Sequence, residues 1–272
     1  MNYRHAYHAG NFADCLKQAL ALWLLTALQR KPRPITVLDT HAGAGGYDLS
    51  ASEAARTGEW RTGIGRLMED PPVPLAAYVA LVRASGCFPG TALLARSILR
   101  PNDRLICCEL HPDEYAALRR RFAHDSQVAI HHRDGYEALR ALLPPDPRRG
   151  LVLIDPPYEQ PGEFGRVLAG LSAAHVRFRE GVLAAWYPIK HRAPVRAFHA
   201  SLRESGMRDI VAAELFLREP TDPARLNGAG MVVINPPFEF EPAARTILDA
   251  LAERLATDEP GGGAALVRLV DE

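Results

Sequence analysis

The stretch that most limits what this chain can fold into is Leu151-Val152-Leu153-Ile154-Asp155-Pro156-Pro157-Tyr158. Four consecutive branched apolar residues read as a strand buried on both faces, the kind found in the middle of a parallel sheet. Asp155 is followed by two residues that lack a backbone N–H and have fixed φ, so the strand has to stop and the chain to turn stiffly. In open α/β sheets, ligands bind at that carboxyl edge. The turn offers two acceptors side by side, the Asp155 carboxylate and the Pro156 carbonyl, beside the flat ring of Tyr158. Two acceptors suit a planar NH2 group and a ring suits a stacked heterocycle, so an exocyclic amine on a nucleobase is the guest this turn would take. The same letters also serve as ordinary punctuation at the end of a strand.

At 272 residues the chain is long enough for one large α/β domain with an insertion, or for two modest domains. Its 32 Lys and Arg balance 32 Asp and Glu, so no global basic field attracts nucleic acid. Any such partner must be held by local patches. No apolar run spans a bilayer and the first residues lack the apolar core of a secretory signal, so a cytoplasmic location without membrane contact is expected. Cys15, Cys87, Cys107 and Cys108 show no C-x-x-C spacing, and they read as reduced residues rather than zinc ligands or disulfide partners. No histidine cluster has metal spacing, because His131 and His132 alternate across a strand.

Residues 1–12, crowded with Tyr, Arg, His and Asn, form an N-terminal arm. It is either a mobile polar tail or a segment that closes over a ligand. From Ala13 to Leu28, apolar residues at helical spacing predict a helix that Pro32 and Pro34 end, with Lys17 pointing away from much of the apolar face. Ile35–Asp39 is a first strand running into Thr40-His41-Ala42-Gly43-Ala44-Gly45-Gly46, where glycines let the backbone approach a ligand. Residues 47–90 break the strand–helix rhythm and predict a helical insertion that rises beside the site. Strand 104–109 ends in Glu109, placed to bind both ribose hydroxyls of an adenosine cofactor. The Arg119-Arg120-Arg121 run that follows reads as a solvated helix face. Strand 128–132 leads to Asp134-Gly135, a further acceptor turn at the same edge. Later strands are expected near 181–187, 209–217 and 231–235. Residues 13–272, interrupted by 47–90, thus read as one doubly wound domain whose last strands form a hairpin. This is a Rossmann-like class I methyltransferase sheet of seven strands with a small helical inserted subdomain.

At this point the residues match a family. Over nearly its whole length the chain resembles the RlmJ family, bacterial methyltransferases of adenine N6 in 23S ribosomal RNA. The carriers are Tyr-Arg-His-x-x-His-Ala-Gly-Asn at 3–11, Leu-Asp-Thr-His-Ala-Gly-Ala-Gly at 38–45, Ala-x-Arg-Thr-Gly-Glu at 54–59 and Pro-Gly at 89–90. Glu-Leu-His-Pro at 109–112, Leu-Ile-Asp-Pro-Pro-Tyr-Glu at 153–159 and Trp-Tyr-Pro at 186–188 complete the set. The resemblance implies S-adenosyl-L-methionine as methyl donor and S-adenosyl-L-homocysteine as product. Its cofactor positions fall on Gln18, His41, Thr91, Glu109, Asp134, Gly135 and Asp155, with Gly43 in the glycine loop. Gln18 and Thr91 depart from the histidine and serine of better-known members, and both keep hydrogen-bonding capacity. Asp155, Pro156 and Tyr158 are the expected catalytic group. Tyr3, Arg4 and His5 are the expected RNA contacts, and Lys190, His191 and Arg192 form another basic group near the functional edge. The resemblance implies 23S ribosomal RNA as the partner, and a monomer that uses no metal is expected.

A second motif, Asn235-Pro236-Pro237-Phe238, also looks amine-methylating, but it follows the last strand rather than the fourth and is assigned a structural or peripheral role. The nearest rival reading is a methyltransferase of DNA adenine N6 or of a protein amide. Further away stand a nicotinamide-dependent dehydrogenase, disfavoured by the weak phosphate loop, and a non-catalytic RNA-binding relative.

Overall fold

The computed structural model describes residues 4–272. In chain order its elements are α1 (Phe12–Gln29), β1 (Thr36–Asp39), β2 (Gly46–Tyr47), α2 (Ser52–Thr57), α3 (Glu59–Thr62), α4 (Ile64–Glu69) and α5 (Ala76–Ala84). There follow β3 (Phe88–Pro89), α6 (Thr91–Ile98), β4 (Arg104–Glu109), α7 (Pro112–Arg121), β5 (Val128–His132), α8 (Gly135–Ala141), β6 (Gly150–Ile154) and α9 (Glu163–Arg177). The chain ends with β7 (Val182–Ile189), α10 (Arg192–Glu204), β8 (Ile210–Phe216), β9 (Gly228–Ile234), α11 (Phe240–Leu255) and β10 (Gly263–Val270).

The main sheet has the order β10-β8-β9-β7-β6-β1-β4-β5. Strands β5, β4, β1, β6 and β7 are parallel neighbours, whereas β9 runs antiparallel to both β7 and β8. The sheet therefore carries the expected late hairpin but has eight strands, not seven, because β10 adds antiparallel to β8 at the edge. Only one residue of β10 is fully buried, yet Ala264-Ala265-Leu266-Val267 before Arg268 is an apolar run of strand length, so sequence reasoning missed a strand whose signal was present.

Strand β6 is buried at every position and sends alternate side chains into two cores. Leu151 and Leu153 pack on the side of α1, α6 and α11, while Val152 and Ile154 pack on the side of α8, α9 and α10. Burial on both faces explains the unbroken apolar run. Helix α1 starts where Asn11 accepts from the amides of Ala13 and Asp14 at 3.0 and 3.1 Å. It is buried on almost all sides, and Lys17, expected to point away from the apolar face, is buried with it. None of the helices among the described residues is long and apolar enough to cross a membrane.

Helices α2 to α5 occupy most of 47–90, and β2 pairs antiparallel with β3 where that segment leaves and rejoins the sheet domain. The described residues of the N-terminal segment are docked on these helices. The Thr57 hydroxyl donates to the Tyr7 carbonyl, and His8 Nδ1 lies 2.9 Å from Glu59 Oε1. The Ile64 amide donates to the Gly10 carbonyl at 2.8 Å. The approach is so close that a Cβ on Gly63 would lie 2.1 Å from that carbonyl oxygen.

Candidate active site

Parallel pairing brings the ends of β1, β4, β5 and β6 to one edge, and each delivers a carboxylate there or just beyond: Asp39, Glu109, Asp134 and Asp155. The glycine loop after β1 is tied to β6 by Thr40, whose hydroxyl donates to the Leu153 carbonyl at 2.9 Å. That hydroxyl has one proton, so His41 Nδ1, 2.7 Å away, must be the donor to Thr40, leaving His41 Nε2 as a bare acceptor. Burial lowers His41 to a pKa of about 4, which keeps the ring neutral at pH 7.

Gly43 N–H donates to Glu109 Oε2 at 2.8 Å and His111 N–H to Oε1 at 2.6 Å, which fixes the carboxylate and leaves each oxygen a second lone pair. Burial raises the Glu109 pKa. Asp134 caps α8, accepting from the amides of Tyr136 and Glu137 at 2.8 and 3.1 Å. Gly135 sits against the loop, where a Cβ would lie 2.3 Å from the Thr40 carbonyl oxygen. His41, Gly43, Glu109, Asp134 and Gly135 thus form one cluster around the glycine loop.

Asp155 is held by a residue that sequence reasoning set aside. Lys17 Nζ lies 2.5 Å from Asp155 Oδ2 and 2.9 Å from Asp14 Oδ1. Burial would lower the lysine, but the two carboxylates outweigh it and raise its pKa well above the ordinary value. Asp14 is the hub of this chain: its Oδ2 also lies 2.9 Å from His5 Nε2 and accepts from the Gly10 amide. Burial opposes its ionisation, yet His5 and Lys17 hold its pKa far below the usual carboxylate range. Asp39 is in the reverse position. Its Oδ1 accepts from the His41 amide at 3.2 Å, but its buried Oδ2 has no hydrogen-bond partner. Burial, aided by the charge of Asp155, pushes its pKa up to about 7.

A small cavity lined by Lys17, Asp39, Thr91, Asp155, Trp186 and Met231 connects these groups. Thr91 begins α6, which follows the Pro89-Gly90 turn. Gln18 is buried, and both ends of its amide are engaged: Nε2 donates to the Pro89 carbonyl at 2.8 Å and Oε1 accepts from Tyr78 at 3.0 Å. Beyond Asp155, Pro156 is buried and Tyr158 adopts the left-handed region with φ 51. Its hydroxyl donates to the Trp186 carbonyl at 3.1 Å, and its ring meets Phe164 and Trp186 edge-on.

Of the expected RNA contacts, Arg4 is exposed and lies 3.7 Å from Asp113, while His5 is part of the Asp14 chain. Tyr3 lies outside the described residues. Arg192 is paired with Glu219 at 2.9 Å. The second Pro-Pro motif is remote from this cluster: Ile234 pairs with Leu183 at the start of β7, so Asn235 emerges at the opposite edge of the sheet. Lys17, Asp14 and Asp39 are the site residues that sequence reasoning missed. The available signal was α1 itself, since a helix apolar on nearly all sides can carry a lysine and an aspartate one turn apart only if they are paired.

The family model described as "Ribosomal RNA large subunit methyltransferase D, RlmJ" matches residues 32–270. The chain is 40% identical over 263 residues to "Ribosomal RNA large subunit methyltransferase J" of Escherichia coli (strain K12), covering 94% of both chains. It is 37% identical over 270 residues to the protein of that name in Haemophilus influenzae, covering 96% of each. A crystal structure of a protein from Legionella pneumophila, 32% identical, superposes with a TM-score of 0.87 and covers 96% of this chain and 98% of that one. At 12% identity, a probable spermidine synthase from Corynebacterium glutamicum shares the fold alone, with a TM-score of 0.52 over 97% of this chain and 77% of that one. On these matches, with the sheet order and the Asp155 turn as described, the chain belongs to the RlmJ family of ribosomal RNA large subunit methyltransferases.

Proposed function

We propose that this protein methylates the exocyclic N6 amine of an adenine in 23S ribosomal RNA, using S-adenosyl-L-methionine and releasing S-adenosyl-L-homocysteine. The observation that carries the reading is Asp155 at the end of β6, its Oδ2 clamped by Lys17, next to the Pro156 carbonyl and the left-handed Tyr158.

The residues present fit the cofactor. Glu109 offers lone pairs to ribose hydroxyls, and His41 Nε2 offers another acceptor. The unpartnered Oδ2 of Asp39 suits an ammonium group, whose charge would favour ionisation of that acid. Gly43 and Gly135 let the glycine loop pack closely against Tyr47 and the start of α8, and Thr91 lies on the cavity wall. When bound, the cofactor supplies an electrophilic methyl on a sulfonium centre.

The amine lone pair of adenine is delocalised into the ring, which makes N6 a poor nucleophile. Lys17 fixes one oxygen of Asp155, so Oδ1 faces a single task, accepting one amine proton while the Pro156 carbonyl accepts the other. Two acceptors in that arrangement favour pyramidal nitrogen and aim its lone pair, with the reacting atoms needing roughly 3–3.5 Å separation for direct displacement. As nitrogen becomes cationic its protons become acidic, and Asp155 Oδ1 takes the one that leaves. Tyr158, fixed through its hydroxyl, supplies an aromatic surface for the base; stacking contributes about 1–3 kcal/mol, against an unstacking cost of a few kcal/mol.

The test is labelled methyl transfer to 23S RNA lacking its native methyl groups, to matched DNA and to a protein extract, with nucleoside analysis of the product. N6-methyladenosine in the RNA alone is expected. Label only in DNA or protein would overturn the substrate assignment.

A further inference from the structure

The motif Ala-x-Arg-Thr-Gly-Glu at 54–59 holds down the N-terminal segment, with one residue left over. The Thr57 hydroxyl donates to the Tyr7 carbonyl, and Glu59 takes His8 Nδ1 at 2.9 Å and Asn11 Nδ2 at 3.0 Å. Gly58 ends α2 with φ 63. Arg56 does none of this. Its guanidinium carbon lies 5.4 Å from the centre of the Tyr7 ring, exposed, and forms no ion pair among the described residues. The neighbouring acid, Glu53, is hydrogen-bonded by the Ser52 hydroxyl at 2.9 Å and feels the charges of Arg4 and Arg56 without pairing with either. Five residues on, Arg61 repeats the arrangement, 5.5 Å from the centre of the Trp60 ring and again exposed without a carboxylate partner among the described residues.

Arg30 and Arg192 also lie over rings, 5.5 Å from Trp23 and 5.4 Å from Phe216, but each is paired with a glutamate. Arg119, exposed at 5.9 Å from the Tyr115 ring without an ion pair among the described residues, shares the arrangement, so what sets Arg56 apart is that its ring belongs to the N-terminal segment. A guanidinium laid on a ring is held in place while its N–H donors stay directed outward, which suits phosphate and base stacking rather than internal pairing. The location also matters. Tyr7 lies two residues after His5, and His5, Asp14, Lys17 and Asp155 form an unbroken chain of contacts of 2.9, 2.9 and 2.5 Å. With zero formal net charge, RNA has to be gathered by a local patch of this kind.

Resting on the RNA reading above, we propose that Arg56 and Arg61, laid on Tyr7 and Trp60, form a docking platform for the RNA strand flanking the target adenine. The two guanidiniums contact backbone phosphates, and the half-buried rings of Tyr7 and Trp60 hold them in place. The N-terminal segment and α2–α3 together make one face of the RNA cleft, and residues 54–61 carry both the strap contacts and the two arginines.

The experiment uses the full chain with Arg56 and Arg61 both changed to Ala, a matching double Lys variant, and an unmodified 23S RNA transcript as probe. The expected result is a KM for RNA raised about tenfold or more, with turnover at saturating RNA, S-adenosyl-L-homocysteine affinity and thermal midpoint within error of wild type. The slope of log affinity against log salt should become shallower by about one to two units, and the Lys variant should recover the slope but not all the affinity. Unchanged RNA KM and salt slope overturn the platform. So does a KM increase matched by equal loss of cofactor affinity or stability, which assigns both arginines to folding. A wild-type chain that methylates no RNA fails the function itself, and the platform with it.

Discussion

Two turns in this molecule carry nearly the same letters, Asp155-Pro156-Pro157-Tyr158 and Asn235-Pro236-Pro237-Phe238, and they lie at opposite edges of one sheet. The first ends a strand parallel to its neighbours. There it opens beside the glycine loop, its carboxylate gripped by Lys17 and its tyrosine in a left-handed conformation that costs about 1–2 kcal/mol for a residue with a Cβ. The second ends an antiparallel strand. There the left-handed residue is Asn235 itself, φ 53, a type that tolerates this region, and its Nδ2 donates to the carbonyls of Arg179 and Gly181 at 2.6 and 2.9 Å. Phe238 is 86% exposed, whereas the corresponding Tyr158 is packed and hydrogen-bonded. Strand polarity separates a turn that opens beside the glycine loop, where the proposed substrate amine would sit, from one that ties down the fold, and both carry left-handed residues with a Cβ, Tyr158 in the first and Asn235 and Glu239 at the second.

The largest effect that would break this comparison is on transfer. Asp155→Ala should reduce methylation roughly 10³-fold or more while the protein stays folded, since Lys17 retains Asp14. Single-turnover assays read this directly, and near-normal rates would end the assignment.

The next effect concerns pH. Asp39 keeps its proton up to about pH 7 in the folded protein, while the unfolded chain releases it near 4. Between those values the native state binds more protons, so this group's contribution to stability falls as pH rises from 4 to 7 and is level above. The fall is roughly 4 kcal/mol at most. Asp39→Asn should flatten that limb of a denaturant-midpoint profile; an unaltered slope would mean Asp39 ionises normally.

Lys17→Met should destabilise by about 3 kcal/mol, because it leaves buried Asp14 without its lysine partner, and should slow transfer by releasing Asp155. Chemical denaturation beside turnover checks both, and loss of neither would make the lysine incidental. The smallest change sharpens the contrast from the other edge. Asn235→Ala should lower stability by about 1–3 kcal/mol, seen in the melting temperature, with kcat/KM for RNA unaltered. A drop in transfer without a drop in stability would give the second turn a role it is denied here.

The sheet was largely legible because its central strands are buried on both faces and end in punctuation, as at Ile154-Asp155-Pro156, and even half-exposed β5 stops at the Asp134-Gly135 turn. Edge strand β10 was missed although Ala264-Ala265-Leu266-Val267 is apolar, because it follows the glycine run 261–263 beyond the hairpin expected to close the sheet. The carboxylates at strand ends were readable from chain order alone. Lys17 was not, because its meaning comes from Asp155, 138 residues away, and helical periodicity assigns charged residues to solvent by default. Gln18 stands at a cofactor position by resemblance, yet its amide bridges Tyr78 and Pro89, a pairing that three distant segments create.

The most direct test of the division between the two edges is hydrogen–deuterium exchange with and without S-adenosyl-L-homocysteine. Slowed exchange is expected at the amides of 40–46 and 109–111 and at Ile154, Asp155 and Tyr158, with no change at Asn235 or Phe238. Slowing at Asn235 and Phe238, with none around Asp155, would contradict the account.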